Sequence, residues 1–136
     1  MGGGVLYAAV RLIKLWMPVI LWAGLILWAS DDTFSSGQSH GWLARFFGGE
    51  VPYGLNFTLR KLGHIVAYGI LGALAWRADR RFTVAIAITL IVAATDEWRQ
   101  SLSLTRTGSA WDVVLDTAGS WLGMVAAARR TARHDQ

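Results

Sequence analysis

Residues 82–97 read FTVAIAITLIVAATDE, an apolar run that ends in two carboxylates. The part from Phe82 to Ala94 carries no charged side chain. It is too long for a typical strand and its β-branched residues do not alternate with polar ones, so the pattern predicts a helix. At roughly 1.5 Å per residue, Asp96 lies about 21 Å along the axis from Phe82, still inside a bilayer core about 30 Å thick. The stretch therefore predicts a membrane-spanning helix with ionisable groups at membrane depth.

Three other apolar stretches flank this one, and the composition of the chain agrees with a membrane protein. Hydrophobic residues make up 54% of the 136 residues and charged residues only 16%, against about 25% charged in an ordinary soluble domain. The uncharged cores are short for a span, so the helices must extend into polar sequence. We therefore predict an all-α fold: a single domain over residues 1–136, an integral membrane bundle of four transmembrane helices at about 12–30, 60–77, 82–100 and 111–128.

The first helix is interpreted as retained rather than cleaved, because cleavage after Ser30 would place Trp28 where a signal peptidase requires a small residue. Lys and Arg then predict the orientation. Eight basic residues and two acids fall on one side, a net charge of +6, and five basic residues and seven acids on the other, a net of −2. The basic side is assigned to the cytoplasm together with both termini, which predicts a multi-pass protein of the inner (plasma) membrane. The overall charge of +4 thus reflects topology, and no nucleic-acid partner is predicted.

The connection between the first two helices, residues 31–59, contains four large apolar residues, Trp42, Leu43, Phe46 and Phe47. They share one face of a helix, which predicts a short amphipathic helix lying on the outer leaflet or folded over the bundle. Gly48-Gly49 would end it. The alternative is a disordered loop, which would leave these side chains in water.

Polar residues from distant parts of the sequence converge at the outer ends of helices two to four. Helical spacing places Lys61, His64 and Tyr68 on one face, Asp96 beside Gln100, and Asp112 on the same face as Asp116. Gly119-x-x-x-Gly123 continues that last face as a seam of small residues, which permits close approach of another backbone. Ionisable residues inside membrane segments are functional candidates, although they could instead only fix the register of the helices.

Roles follow from the chemistry of these side chains. The candidates for catalysis are His64, Asp96 and Glu97, with either carboxyl group as general acid or base and His64 as its partner. Lys61 and Arg106 would hold an anionic group such as phosphate. The remaining binding candidates are Tyr68, Gln100, Asp112 and Asp116. The acids and His64 also suit a divalent cation, but no compact ligand motif supports one, so neither a metal nor a cofactor is predicted.

The motifs Lys61-x-x-His64-x-x-x-Tyr68-x-x-Leu71-Gly72, Asp96-Glu97-x-x-Gln100, Arg106 and Asp112-x-x-x-Asp116-x-x-Gly119-x-x-x-Gly123 resemble the VanZ-like family of small bacterial membrane proteins. The resemblance covers about residues 60–124. Asp116 departs from it, since members often carry Asn there, and so does Thr105, where turn residues such as Pro-Gly are common. The resemblance implies an integral protein of the bacterial envelope, in a family whose founding member is associated with resistance to the glycopeptide teicoplanin.

Three functions remain open from the sequence. The first is an envelope protein that binds or modifies a lipid headgroup or cell-wall precursor at the outer face, with a link to glycopeptide resistance. The second is a proton-coupled transporter, although the polar residues lie at one end only. The third is a non-catalytic structural partner of another membrane protein, through the glycine seam and the amphipathic loop. Besides the lipid bilayer, a homo-oligomeric partner also remains open.

Overall fold

The computed structural model describes residues 2–30, 41–42, 44–46, 48–49, 52–102 and 109–134. Four long helices account for most of these residues: α1 (Gly2–Ala29), α2 (Tyr53–Asp79), α3 (Phe82–Ser101) and α4 (Ala110–His134). The described part of the chain contains no strand. The predicted all-α class is therefore confirmed.

Helices α1, α2 and α4 are longer than predicted, each for a local reason. Pro52, at φ −55° and ψ 134°, is the N-cap residue of α2, so this helix begins at Tyr53 rather than at about residue 60. α1 begins at Gly2 and continues through Pro18. α4 continues through the basic segment 129–133 to His134, because Ala and Arg both favour helix strongly.

The turn between α2 and α3 consists of Arg80 and Arg81. Arg80 adopts the left-handed conformation at φ 63°, and its backbone N–H donates to the carbonyl oxygen of Trp76 at 2.7 Å. This closes the C-terminus of α2 in the manner of an αL cap. The tight turn makes α2 and α3 antiparallel neighbours.

α2 and α4 form the closest pair in the bundle, and glycines create the contact. A Cβ added at Gly119 would lie 2.6 Å from the carbonyl oxygen of Ile65, and one added at Gly69 would lie 3.3 Å from that of Gly119. A Cβ at Gly123 would collide with the backbone of Gly69, and one at Gly72 with Ser120. The predicted close approach at Gly119 and Gly123 is therefore confirmed, and α2 supplies its own glycines to the same seam.

α1 lies at the edge of the bundle. Its Trp22 indole N–H donates to the carbonyl oxygen of Ala67 at 2.8 Å, and Val19 and Ile26 are buried. Among the described residues, Gly3–Ala29 is the one helical segment long and apolar enough by itself to cross a membrane, and only 11% of its most apolar window is buried. The count of four spans predicted from sequence is not established by this criterion.

The distribution of polarity differs from that in a soluble domain, because the bundle buries several polar side chains and exposes many large apolar ones. The buried polar residues among those described reach from one end of the bundle to its middle: Asn56, Thr89, Asp96, Glu97, Gln100, Asp116 and Ser120. Large apolar side chains are exposed on each of the four helices, for example Ile20, Val66, Ile91 and Leu122, each at least 60% exposed. In soluble domains most large apolar side chains are buried and most charged side chains are exposed.

The predicted amphipathic helix between α1 and α2 is partly described. Residues 41–42 and 44–46 are helical, and the N–H of Gly49 donates to the carbonyl oxygen of Ala44 at 3.0 Å. Gly48, at φ 69°, ends this turn as expected. Trp42 and Phe46 are exposed rather than buried against the bundle, whereas Leu43 and Phe47 lie outside the described residues.

Candidate functional site

The alternating direction of the helices brings the end of α1, the start of α2, the end of α3 and the start of α4 to one level. We call this level the polar end. It contains the described candidate residues Lys61, His64, Tyr68, Asp96, Glu97, Gln100, Asp112 and Asp116. The opposite level, the basic end, contains Arg77, Arg80, Arg81, Arg129, Arg130 and Arg133. The candidate Arg106 lies outside the described residues.

Lys61 and Asp112 form an ion pair between α2 and α4. Their side chains are 29% and 24% exposed, so the pair lies at the rim of the polar end. The Lys61 ammonium group also lies 5.4 Å from the ring centroid of Phe57, one turn earlier. The pair thus connects the third turn of α2 to the first turn of α4 above the glycine seam, while solvent still reaches both partners.

One turn deeper, His64 on α2 faces Asp116 on α4. The His64 Nδ1 lies 3.4 Å from the Asp116 Oδ1, and the aspartate side chain is only 1% exposed. Neither carboxylate oxygen of Asp116 has a hydrogen-bond partner among the residues that the structure describes. A buried carboxylate is costly unless it is paired and hydrogen-bonded, so His64 provides only part of what Asp116 requires.

Tyr68 lies below His64 on the same face of α2. Its side chain is fully buried, and its ring stacks with that of His64 at a centroid separation of 6.2 Å and an interplanar angle of 24°. Within the described parts of the chain, the Tyr68 hydroxyl has no hydrogen-bond partner. Tyr68 thus adds a second polar group with unused hydrogen-bonding capacity to the deep part of the polar end.

Asp96 connects α3 to the end of α1. Its Oδ2 accepts hydrogen bonds from the Ser30 hydroxyl at 2.8 Å and from the Gln100 side-chain amide at 3.0 Å. Asp96 itself is 1% exposed. Close by, the Arg99 guanidinium donates to the carbonyl oxygen of Leu27 at 2.8 Å. Gln100, predicted as a binding residue, therefore positions Asp96 in this structure.

Glu97 connects α3 to the start of α4. Its Oε2 accepts the backbone N–H of Ser109 at 2.5 Å, and the residue is only 8% exposed. Its Oε1 is buried and accepts no hydrogen bond from the described residues. One oxygen of Glu97 is therefore committed to the backbone, and the other remains available.

Of the predicted site residues, the structure thus brings eight into one layer but divides them into smaller groups. Lys61 pairs with Asp112, His64 adjoins Asp116 and Tyr68, and Asp96 with Gln100 belongs to the α1 side. No three metal-binding side chains among the described residues are grouped so that they could hold a metal ion. The expected pairing of His64 with Asp96 or Glu97 is replaced by its contact with Asp116.

Sequence reasoning missed four polar residues of this region. Ser30 donates to Asp96, and Asn56 is 2% exposed on α2. Thr89 on α3 and Ser120 on α4 form a buried hydroxyl pair at 2.7 Å, one turn below Asp116. Pro52 is the signal that would have placed Asn56 on a helix, since proline is common at helix starts.

Comparison with known proteins adds one match. The family model described as VanZ/LLP1 matches residues 15–130, which include α2, α3, most of α4, the second half of α1 and all eight candidate residues of the polar end. No curated protein and no solved structure matches the chain.

Proposed function

Because the chain belongs to the VanZ/LLP1 family, a family of membrane proteins, we propose that it is a multi-pass protein of the bacterial cell envelope. In this proposal its polar end binds a lipid headgroup or a cell-wall precursor. The four helices cross the inner membrane at about residues 12–30, 60–77, 82–100 and 111–128. The polar end faces outward and both termini are cytoplasmic.

The exposed apolar side chains and the buried polar side chains of the bundle support four crossings. α1 has little protein around it, and each of the other helices also exposes large apolar side chains such as Val66, Ile91 and Leu122. Water around so much apolar surface is unfavourable, whereas lipid tails solvate it well. Helices α2 to α4 are less apolar than α1 because they contain polar residues. Several of these residues are buried in the bundle, and intramembrane polar residues characteristically face the interior of a bundle.

The placement of charge supports the orientation, and the placement of aromatic residues supports an interfacial level for the polar end. Arg77, Arg129 and their neighbours form the basic end, as expected for cytoplasmic loops and tails. Trp28, Trp98 and Trp111 are exposed near the polar end. Exposed indoles at that level are typical of a membrane–water interface.

The observation that carries the ligand proposal is the surplus of buried acceptors. Both oxygens of Asp116 and the Oε1 of Glu97 are buried and accept no hydrogen bond from the described residues. Unsatisfied buried acceptors cost about 1–3 kcal/mol each, so a bound group that donates hydrogen bonds would stabilise the site. Ammonium, hydroxyl and amide N–H groups, which occur in amine-bearing headgroups and in the sugar and peptide parts of cell-wall precursors, are such donors.

Lys61 and Arg106 are proposed to hold the anionic part of the same ligand. Lys61 is paired with Asp112 in the structure, so in this proposal it exchanges that carboxylate for a phosphate. The pair is partly exposed, which keeps the cost of the exchange low. Binding accounts for the available acceptors without a chemical step, so it is the activity proposed here. If the ligand is also modified, His64 with Asp116 is the pair best placed for proton transfer.

Proton-coupled transport is the second candidate, and the hydroxyl pair of Thr89 and Ser120 favours it. That pair extends the polar residues one turn deeper than the carboxylates. Below it the interior is closed by Ala85 and Met124, both fully buried. A proton path would have to pass this apolar layer, so we rank transport below binding.

Asp116→Asn tests the proposed function, with Asp79→Asn as a matched control that removes an acid from the opposite end. Each protein is purified in neutral detergent and titrated in native mass spectrometry with phosphatidylethanolamine and with a lipid-linked disaccharide peptide. We expect one of these probes to bind wild type and Asp79→Asn. Asp116→Asn should weaken it at least 10-fold, since a hydrogen bond to a charged group contributes about 1.5–3 kcal/mol.

Equal binding by Asp116→Asn, or no binding of either probe by wild type, would contradict the proposal. Proton flux into liposomes that is lost in Asp116→Asn would establish the transport alternative instead. Orientation is tested separately by labelling Ser39→Cys, since the chain has no native cysteine; failure of an impermeant reagent to reach it from outside would reverse the topology. Teicoplanin susceptibility of cells with and without the gene tests the link to resistance.

A further inference from the structure

An open groove lies between α2 and α4 at the basic end, at the opposite end of the bundle from the candidate site. Its volume is about 350 Å³. Ala73, Leu74 and Trp76 of α2 and Ala127 of α4 form its apolar lining. Arg77 and Arg130 line it from opposite helices, together with Thr131. The groove therefore combines an apolar floor with two cations.

The two arginines are not neutralised locally. Among the described residues, neither Arg77 nor Arg130 takes part in an ion pair, and the one described acid at this level, Asp79, is paired with Arg81. Arg80 adds a further cation, since its guanidinium lies 4.5 Å from the ring centroid of Trp76 and donates weakly to the Thr131 hydroxyl at 3.4 Å. The positive charge around the groove is thus available to an anion.

Trp76 supplies an unused donor at the same place. The residue is 8% exposed, and within the described chain its indole N–H has no acceptor. Buried indole N–H groups usually find a partner. An oxygen-rich anionic group held near this groove would provide acceptors that the protein itself lacks.

We propose that this groove binds an anionic phospholipid of the cytoplasmic leaflet. The phosphate lies between Arg77 and Arg130, and an acyl chain follows the apolar floor at Ala73 and Leu74. The proposal goes beyond the outward-facing site, because it concerns the opposite end of the bundle; it rests on the proposed function only for the insertion in a membrane and the cytoplasmic position of the basic end. Basic pockets between transmembrane helices on the cytoplasmic side are suited to such headgroups.

The apolar floor favours a lipid over a free anion. Inorganic phosphate would meet the two arginines but would leave the groove between Leu74 and Ala127 empty. A phospholipid satisfies both halves, because its headgroup matches the charge and its chain replaces water on the apolar surface. The basic end also lies at the headgroup level of the proposed inner leaflet, where anionic lipids are concentrated.

The test compares Arg77→Gln/Arg130→Gln with the control Arg129→Gln/Arg133→Gln. The control removes the same charge from exposed positions of the same end that do not line the groove. The full-length proteins in neutral detergent are titrated with phosphatidylglycerol and phosphatidylcholine in native mass spectrometry. We expect wild type and control to prefer phosphatidylglycerol, and the groove variant to bind it about 30-fold more weakly, from about 1 kcal/mol for each arginine.

A steric variant keeps the test independent of charge. Ala73→Leu fills the floor, whereas Ala126→Leu makes the same change on the exposed surface of α4; only the first should weaken phosphatidylglycerol binding. Equal losses in groove and control variants would overturn the proposal, as would retention of binding by the groove variant or competition by inorganic phosphate at equal concentration. Binding of the polar-end probe, phosphatidylethanolamine or the lipid-linked disaccharide peptide, should be unchanged by all four variants, so the two proposals can fail separately.

Discussion

The two ends of the bundle both carry charged side chains but surround them in opposite ways. At the polar end Asp96 and Asp116 are 1% and 0% exposed. At the basic end Arg77 and Arg129 are exposed, and the ion pair between Asp79 and Arg81 lies at the surface. Charged side chains are therefore buried at the polar end and exposed to solvent at the basic end.

This difference in burial matches the two proposed roles: the buried carboxylates bind a ligand, and the exposed arginines orient the protein in the membrane. An exposed arginine costs the fold almost nothing, so the basic end needs no compensating contact to retain its charge. A buried carboxylate without full hydrogen bonding is destabilising, so Asp116 must be balanced by packing elsewhere or by a ligand. Proteins often accept such local costs at binding sites. The largest expected effects therefore come from the parts that hold the two ends together.

The glycine seam joins the two ends, and closing it should have the largest effect. A Cβ at Gly123 would collide with the backbone of Gly69, so Gly123→Ala should lower the free energy of unfolding by about 3 kcal/mol, the upper part of the usual range for overpacking. Unfolding in a denaturing detergent series measures this. Gly63→Ala on α2 is the control, because a Cβ there meets nothing within 4 Å; an equal loss of stability in that variant would contradict the role of the seam.

Glu97 tests whether a buried carboxylate at the polar end also has a structural role. Glu97→Ala removes the acceptor of the Ser109 N–H and should lower the free energy of unfolding by about 2 kcal/mol. Glu97→Gln keeps a carbonyl oxygen for that contact and should lose much less. Comparable losses in both variants would mean that the charge, rather than the hydrogen bond, stabilises the start of α4.

Replacing Asp116 should change the free energy of unfolding in the opposite direction from replacing Glu97. Asp116→Asn removes a buried charge whose oxygens lack hydrogen bonds among the described residues, so the free energy of unfolding should rise by about 1 kcal/mol while probe binding falls. The measurement is unfolding in the same detergent series without ligand. A clear loss of stability would show that the contact with His64 stabilises the fold and would remove the contrast between the two ends.

The exposed pair of Asp79 and Arg81 should give the smallest effect. The Arg81 guanidinium, which donates to the Asp79 carboxylate, lowers the pKa of Asp79 below its ordinary value. A lowered pKa in the folded state means that the stabilisation is present above the ordinary aspartate pKa of about 3.9 and is lost as the pH falls through the lowered value. Unfolding of wild type and Asp79→Asn should differ slightly at pH 7 and converge at lower pH. A difference that grows on acidification would contradict this sign.

Much of the architecture was predictable because apolar periodicity and charge placement are local signals. The start of α3 at Phe82 and the meeting of Asp96, Asp112 and Asp116 at one level follow from run lengths and alternating helix direction. The helix ends were less predictable. Arg60 and Lys61 separate residues 53–59 from the apolar run of α2, and residues 129–133 contain three arginines, so the apolar pattern includes neither segment. Pro52 and the helix-favouring Ala and Arg residues nevertheless make both segments helical.

The pairings within the polar end were not predictable, since helical spacing gives the face of a residue but not the rotation of the neighbouring helix. Lys61 therefore appeared as a free ligand of phosphate, although it pairs with Asp112. Gly69 shows the same limit on the apolar side. It contributes to the seam with Gly119 and Gly123 only because α2 and α4 pack at one particular rotation.

The edge position of α1 has a consequence for how the protein is made. α1 is synthesised first and is joined to the other helices by a few specific contacts, chiefly the Trp22 indole on Ala67 and the Ser30 hydroxyl on Asp96. The remaining three helices are joined by the glycine seam between α2 and α4 and by the contacts of the buried carboxylates on α3 and α4. In the proposed topology α1 would therefore insert as an independent anchor, and we expect that a gene divided within codons 31–40 still yields two pieces that associate in the bilayer.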